Sequence, residues 1–212
     1  MELTLERVTL SMPGVCLIQP FSLTIQAGEI VTLMGPSGSG KSSLLAYVAG
    51  DLTPPLHGEG RVSLGGRQLN AVPPEARKVG RLFQDDYLFP HMSVGENLLF
   101  GMKRGPRHDR QAMMRLALHE AGIEGLEARA PHTLSGGQRQ RVALMRALMA
   151  KPDAMLLDEP FNKLDMELRA SMRAYVFSHL LARQIPCLLV THDRADAPGR
   201  VLAIGPYGVV RA

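Results

Sequence analysis

Apolar and polar residues alternate in "LTLERVTL" from Leu3 and again in "FSLTIQ" from Phe21, the period of a half-buried strand. The segments "EIVTLM", "VSLGG" and "GRLFQ" extend the pattern, so strands and turns dominate the first third of the chain. One stretch breaks it: "SSLLAYVAG", after Lys41, reads as a helix closed by Gly50. Further on the period lengthens. Asp109 is placed to cap "RQAMMRLALHEAG", with Met113, Leu116 and Ala117 on one face and Gly122 at its end. A second strong helix follows Ser135. Strand "AMLLD" comes next, then a helix from about Asp165 to Gln184. In that helix Leu164, Leu168, Met172, Val176 and Leu180 recur at four-residue spacing, an apolar stripe that Pro186 stops. Strands "CLLVT" and "VLAI" finish the chain.

Short buried runs alternating with helices predict an α/β fold, a mostly parallel core sheet with helices on its faces, beside an N-terminal antiparallel β layer. The 212 residues read as one domain. Residues 1–87 and 151–212 form the β layer and core, and about 88–150 a mostly helical insert. Composition agrees: 45% of residues are apolar and 21% charged, enough for a core and too few charges for disorder. Twelve Met residues stand in for part of the aromatic bulk, which is only 5% with no Trp. The net charge of +4 is dispersed, which suits anionic ligands but gives no nucleic-acid footprint, and most of the arginines are expected to be solvated surface charge. Cys16 and Cys187 lie far apart, so no disulfide framework or metal spacing exists, and a reducing compartment is expected. No apolar run of eighteen or more residues spans a membrane, and "MELTLERVTL" is a strand, not a signal peptide.

Against this frame "GPSGSGKS" carries chemistry. Gly35, Gly40, Lys41 and Ser42 fit G-x-x-x-x-G-K-[ST], with a strand before and a helix after. The small residues Pro36, Ser37, Gly38 and Ser39 let backbone N–H groups wrap a β-phosphate, with Ser43 continuing the cradle into the helix. Lys41 is expected to reach the β/γ oxygens and Ser42 to offer its hydroxyl to Mg²⁺. A dinucleotide fingerprint fits worse, since "GEGRVS" has Ser63 where a third glycine belongs. Asp158, at the end of "AMLLD", is placed to hold Mg²⁺, and Glu159 to polarise water towards a γ-phosphate. Gln84 is expected to touch Mg²⁺ and the water, and His192 the γ-phosphate. The other six histidines have no ligand spacing and are read as structural or solvent-facing.

A second anion-binding helix start lies in "LSGGQRQR". Ser135 is a good N-cap, and the N–H groups of the first turn point outward. An ordinary capped helix would not choose Gly136 and Gly137, which weaken the turn by up to about 1 kcal/mol each. Their use is a close backbone approach by phosphate, with Gln138 beside them. The helical insert is expected to carry this motif away from the first cradle. One molecule would then not easily close both on one triphosphate, but two molecules head-to-tail would.

The ordered set "GPSGSGKS", Gln84, "LSGGQ", "AMLLDE", "PFNKLD" and "THD" resembles the ATPase subunits of ABC transporters over essentially the whole chain. The resemblance implies ATP and Mg²⁺ as ligands and an ATP-sandwiched homodimer. Asp165 would then lie in a loop that signals across the interface, and a helix N-cap is a second, compatible role for it. The segment "FQDDYLFPHMSVGENLLFG" and the "PF" after Glu159 resemble importers of thiamine, polyamine, ferric iron or sulfate, and the short form resembles thiamine-type and related uncharacterised small importers most. That implies integral-membrane permease subunits, a solute-binding protein, and a place on the cytoplasmic face of the inner membrane. Tyr87, Leu88, Phe89, Pro90 and Met92 either line a groove for the permease or form the insert's own core. Met12 stands where the family usually stacks an aromatic ring on adenine. In "PFNKLD", Asn162 and Lys163 replace the commoner small residues. About 20 residues follow His192, so no C-terminal regulatory barrel is expected. Two alternatives stand beside import. One is an exporter-linked or cell-division ATPase of the same fold. The other is a soluble ATPase acting on nucleic acid or ribosomes, although no heptads for a coiled coil occur between Lys41 and Ser135.

Overall fold

The computed structural model describes residues 1–205, 208, 210 and 211. They form two compact units. The first comprises Met1–Arg81, Asp153–Glu159 and Phe177–Ala212 and contains two sheets. In the antiparallel sheet, β1 (Leu3–Met12) pairs with β2 (Val15–Ile25) on one side and β4 (His57–Leu64) on the other, and β5 (Arg67–Gln68) closes the order β2-β1-β4-β5. The buried residues of β1 are Leu3, Leu5, Val8 and Leu10, so the alternation slips by one position after Leu5. A bulge absorbs the slip: Arg7 takes a left-handed φ of 49°, and a Cβ on Gly60 in β4 would lie 2.5 Å from the Arg7 carbonyl oxygen.

The second sheet has the order β10-β9-β3-β8-β7-β6. Its centre, β3 (Ile30–Met34), runs parallel to β8 (Cys187–Val190) and β9 (Arg200–Ile204), and β7 (Ala154–Asp158) runs parallel to β8. β6 (Val79–Leu82) lies at one edge, and β10 (Val210–Arg211), which the sequence pattern did not predict, pairs antiparallel with β9 at the other. Every residue of β7 and β8 is buried, as in parallel strands covered on both faces. Leu33 and Asp158 both register with Val190, so the carboxyl ends of β3, β7 and β8 finish together. Helix α1 (Lys41–Ala49) buries Leu44, Leu45, Val48 and Ala49 and packs on β7 and β8. Its C-terminus is held by Arg77, only 6% exposed, whose guanidinium donates to the carbonyls of Tyr47, Val48, Val72 and Asn70. Arg77 and the 8%-exposed Arg141 thus depart from the expectation of solvated arginines.

The second unit, Leu82–Pro152 with Pro160–Val176, is mainly helical. Helix α2 (Val94–Gly101) packs on α3 (Arg107–Glu120) and α4 (Gly136–Met149). The N-cap of α3 is Pro106, so Asp109 lies inside the first turn and does not cap it. Its buried residues are Met114, Ala117 and Leu118, while Leu116 is 59% exposed. The predicted face is therefore rotated, and Ala117 alone is shared. Asn97, wholly buried in α2, donates to the carbonyls of Phe89, Met92 and Ser93 and accepts from the backbone N–H of Phe89. One amide thus folds the segment 89–93. Helix α5 (Met166–Ala182) starts in this unit, with Met172, Val176 and Leu180 buried as the stripe predicted. Among the described residues no helix is long and apolar enough to cross a membrane.

Candidate functional site

The loop between β3 and α1 is built for close approach. Gly38 (φ 79°) and Gly40 (φ 88°) are left-handed, and a Cβ on Gly38 would meet nothing within 4 Å, whereas one on Gly40 would press on Leu17 and Ile18 of β2 at 3.3 Å. Pro36, Ser37, Gly38 and Ser42 are exposed, and Gly35, Ser39, Lys41 and Ser43 are half-buried. No side chain caps the N-terminus of α1, so its first N–H groups are left for an anion. Lys41 lies over the loop, its Nζ donating to the carbonyls of Gly35 (2.9 Å) and Pro36 (2.7 Å).

The carboxylates of "DE" separate sharply. Asp158 is 3% exposed, and the Ser42 hydroxyl hydrogen bonds to it. Burial pushes this carboxyl above its usual range, opposed by the Ser42 hydrogen bond and by the charges of Arg81 and Lys41. A buried carboxyl beside a hydroxyl is an all-oxygen donor pair, the chemistry a hard cation takes when phosphates and water complete its shell. Glu159, one residue on, turns left-handed (φ 48°) and its N–H donates to Val190 O at 2.9 Å. Its carboxylate lies 2.8 Å from His192 Nδ1 and accepts a long bond from Thr191 Oγ1 at 3.4 Å. Thr191, wholly buried, also accepts from the N–H of Asp193 at 3.1 Å. Thr191 is not among the residues singled out from local pattern, because its use is tertiary.

The first unit therefore brings together Lys41, Ser42, Asp158, Glu159 and His192 at the carboxyl end of the parallel sheet, where α/β folds bind ligands. Met12 belongs to the same unit, at the tip of the β1–β2 hairpin opposite Val15 and 37% exposed. Gln84, Ser135, Gly136, Gly137, Gln138 and Asp165 belong to the second unit. There Gln84 is exposed, two residues past β6. Ser135 caps α4 in a full capping box: its Oγ accepts from the Gln138 N–H at 3.2 Å, and Gln138 Oε1 accepts from the Ser135 N–H at 2.9 Å. Asp165 Oδ1 accepts from the Leu168 N–H at 3.0 Å, so it caps α5.

The family profile described as ABC transporter matches residues 18–162. The chain belongs to the ABC transporter family. Among ABC relatives it is 44% identical over 197 residues to the uncharacterised ATP-binding protein YnjD of Escherichia coli K12, covering 92% of this chain and 91% of that one. It is 46% identical over 200 residues to the Fe(3+) ions import ATP-binding protein FbpC of Pseudomonas fluorescens, covering 92% and 55%. The thiamine import ATP-binding protein ThiQ of Escherichia coli K12 is 42% identical over 179 residues, covering 84% and 76%. The chain thus spans about half the length of the ferric-ion and polyamine relatives it matches. The bacterial ABC cassette MJ0796, solved as a dimer, superimposes with a TM-score of 0.86 at 29% identity, covering 99% of this chain and 97% of that one. The same figures hold for the post-hydrolysis MJ0796 dimer bound to ADP and Pi. The α/β ABC fold, with its antiparallel layer and mostly parallel core sheet, is the one expected from the sequence, and ATP binding and hydrolysis go with the family.

Proposed function

We propose that the chain is the ATP-hydrolysing subunit of a bacterial importer of a small solute. It works at the cytoplasmic face of the inner membrane with permease subunits and a solute-binding protein. The names of the ferric-ion and thiamine import relatives support import, and the dimeric MJ0796 cassette supports a paired state. Both units act as one ATPase domain over residues 1–212, with about 88–150 as its helical subdomain.

The observation that carries the reading is the split between units. An uncapped helix start with a lysine lies in one, and the Ser135–Gln138 helix start in the other. In this reading residues Gly35 to Ser43 cradle the phosphates, and Lys41 leaves its loop carbonyls for the β/γ oxygens. Ser42 and Asp158 would hold Mg²⁺, with Gln84 as the further expected ligand, and the ion would supply neutralisation of phosphate charge. Glu159 accepts the proton of the attacking water. Thr191 fixes its carboxylate, and His192 reaches from Glu159 towards the γ-phosphate. Ser135, Gly136, Gly137 and Gln138 of a second copy close over that phosphate, with Asp165 at the seam. Met12 covers the base by apolar contact only. Tyr87 and Pro90, both exposed, meet the permease, while half-buried Leu88, Phe89 and Met92 support them.

Glu159→Gln tests this. The variant keeps the shape of the site and one acceptor oxygen but removes the base. With ATP and Mg²⁺ it should elute from gel filtration as a dimer, and without nucleotide as a monomer. A monomer under both conditions would refute the paired state.

A further inference from the structure

The two bulky residues of "PFNKLD" are engaged inside their own unit. Gln140 Nε2 donates to Asn162 Oδ1 at 2.9 Å, and Gln140 Oε1 accepts from the Lys163 N–H at 3.0 Å. Lys163 Nζ reaches Asp86 Oδ1 at 3.2 Å, and Arg139 Nε donates to Asp86 Oδ2 at 3.1 Å. The Asp86 side chain is only 12% exposed, against 36% for Arg139 and 32% for Lys163. Arg139 also donates through Nη1 to the carbonyl of Leu134, immediately before the Ser135 cap, at 2.7 Å. From later in the same helix Arg146 donates to the carbonyls of Tyr87 (2.9 Å) and Asp86 (3.4 Å). Backbone packing joins the same parts, since a Cβ on Gly137 would lie 2.9 Å from Lys163 O.

Three segments distant in sequence therefore meet on one carboxylate: the stretch after Gln84, the first turn of α4, and the loop before α5. An isolated exposed ion pair contributes little, but this one is a network on a largely buried acceptor. Each oxygen of Asp86 takes a different cation, so the carboxylate sets the spacing between Arg139 and Lys163. Without it the two cations would repel across the gap.

We propose that Asp86 is a positioning residue: paired with Lys163 and Arg139, it locks the 160–165 loop to the Ser135–Gln138 turn, so that both present to a second copy's nucleotide as one rigid face. This rests on the paired reading above. The bulk of Asn162 and Lys163 thereby gains a purpose. Asn162 ties the loop to Gln140, and Lys163 ties it to Asp86.

The test uses the full chain carrying Asp86→Asn, Lys163→Met or Lys163→Arg, each also combined with Glu159→Gln. Two readouts are taken. Hydrogen exchange in the monomer reports the amides of 136–140 and 161–165. The ATP concentration giving half-maximal dimer reports assembly, with mononucleotide affinity of the monomer as control. Asp86→Asn and Lys163→Met should each speed exchange in both segments about tenfold and raise the half-maximal ATP concentration about tenfold, with mononucleotide affinity within about twofold of the parent. Lys163→Arg should restore both readouts. If the parent Glu159→Gln chain does not dimerise, the paired state fails and the exchange readout alone decides the clamp. Unchanged exchange in Lys163→Met, exchange rising throughout the chain, or a matching fall in mononucleotide affinity would overturn it.

Discussion

Gly136 and Gly137 are adjacent, yet the structure gives them different reasons to be glycine, and alanine at each position separates these. Neither has a positive φ, so alanine is compatible with both backbones. A Cβ on Gly136 would meet only Arg139 Nη2 and Lys163 Cδ, both at 3.9 Å. With the space open, Gly136→Ala should gain part of the roughly 1 kcal/mol of helix propensity, about 0.5 kcal/mol at this terminal position. A Cβ on Gly137 would lie 2.9 Å from Lys163 O, a backbone atom, and 3.4 Å from Leu164 Cδ2. Overpacking of that kind costs about 1–3 kcal/mol, so after the propensity gain Gly137→Ala should be destabilised by about 1–2 kcal/mol. Urea denaturation of the full chain should then move the midpoint down by about 0.5 M for Gly137→Ala and slightly up for Gly136→Ala. If phosphate needs the bare backbone at Gly136, that stable variant should still lose ATP-dependent dimerisation in the Glu159→Gln background by about tenfold or more. Should Gly136→Ala dimerise like its parent, the phosphate reading of that glycine is wrong. If Gly137→Ala keeps its urea midpoint, so is the packing reading of its neighbour.

Other perturbations follow from the same geometry. Lys41→Met removes the cation and two hydrogen bonds to the loop carbonyls, and should lower ATP affinity by about a hundredfold by nucleotide fluorescence, with little change in melting temperature. Arg77→Met strands four carbonyls around the C-terminus of α1, and should lower unfolding free energy by about 2–4 kcal/mol in the same urea assay. Burial, then the charge of Arg183, holds the His179 imidazole below its usual pKa. The unfolded chain therefore binds this proton first, and the stability due to neutral His179 is full above about pH 6.5 and lost as pH falls through the folded value. His179→Gln should narrow the stability difference between pH 7.5 and 5.5.

What was legible from sequence is what depends on local chemistry. "GPSGSGKS" states its loop and helix start in eight consecutive residues, and "AMLLDE" its strand and its two carboxylates. The stripe Met172, Val176 and Leu180 set the buried face of α5 by spacing alone. The rest depends on partners the chain supplies elsewhere. The bulge at Arg7 needs Gly60, so the alternation in β1 gave no warning of the slip. Pro106 starts α3 one turn before the capping aspartate would, and the face rotates with it. "SGGQ" read as an anion site, but the same letters also make a capping box and a close contact with Lys163. Asn162 and Lys163 looked anomalous only because Gln140 and Asp86 lie far off in sequence.

The central claim is that each nucleotide is held by Lys41 of one copy and Ser135 of another. Mixing two defective chains tests it most directly. In the Glu159→Gln background, a Lys41→Met chain and a Ser135→Arg chain should each fail to dimerise alone with ATP and Mg²⁺. Mixed, they rebuild a single intact site, from the cradle of the second chain and the helix start of the first. Native mass spectrometry should then show a heterodimer carrying one ATP. No heterodimer in the mixture, or ATP held as firmly by the lone Ser135→Arg chain, would contradict the account.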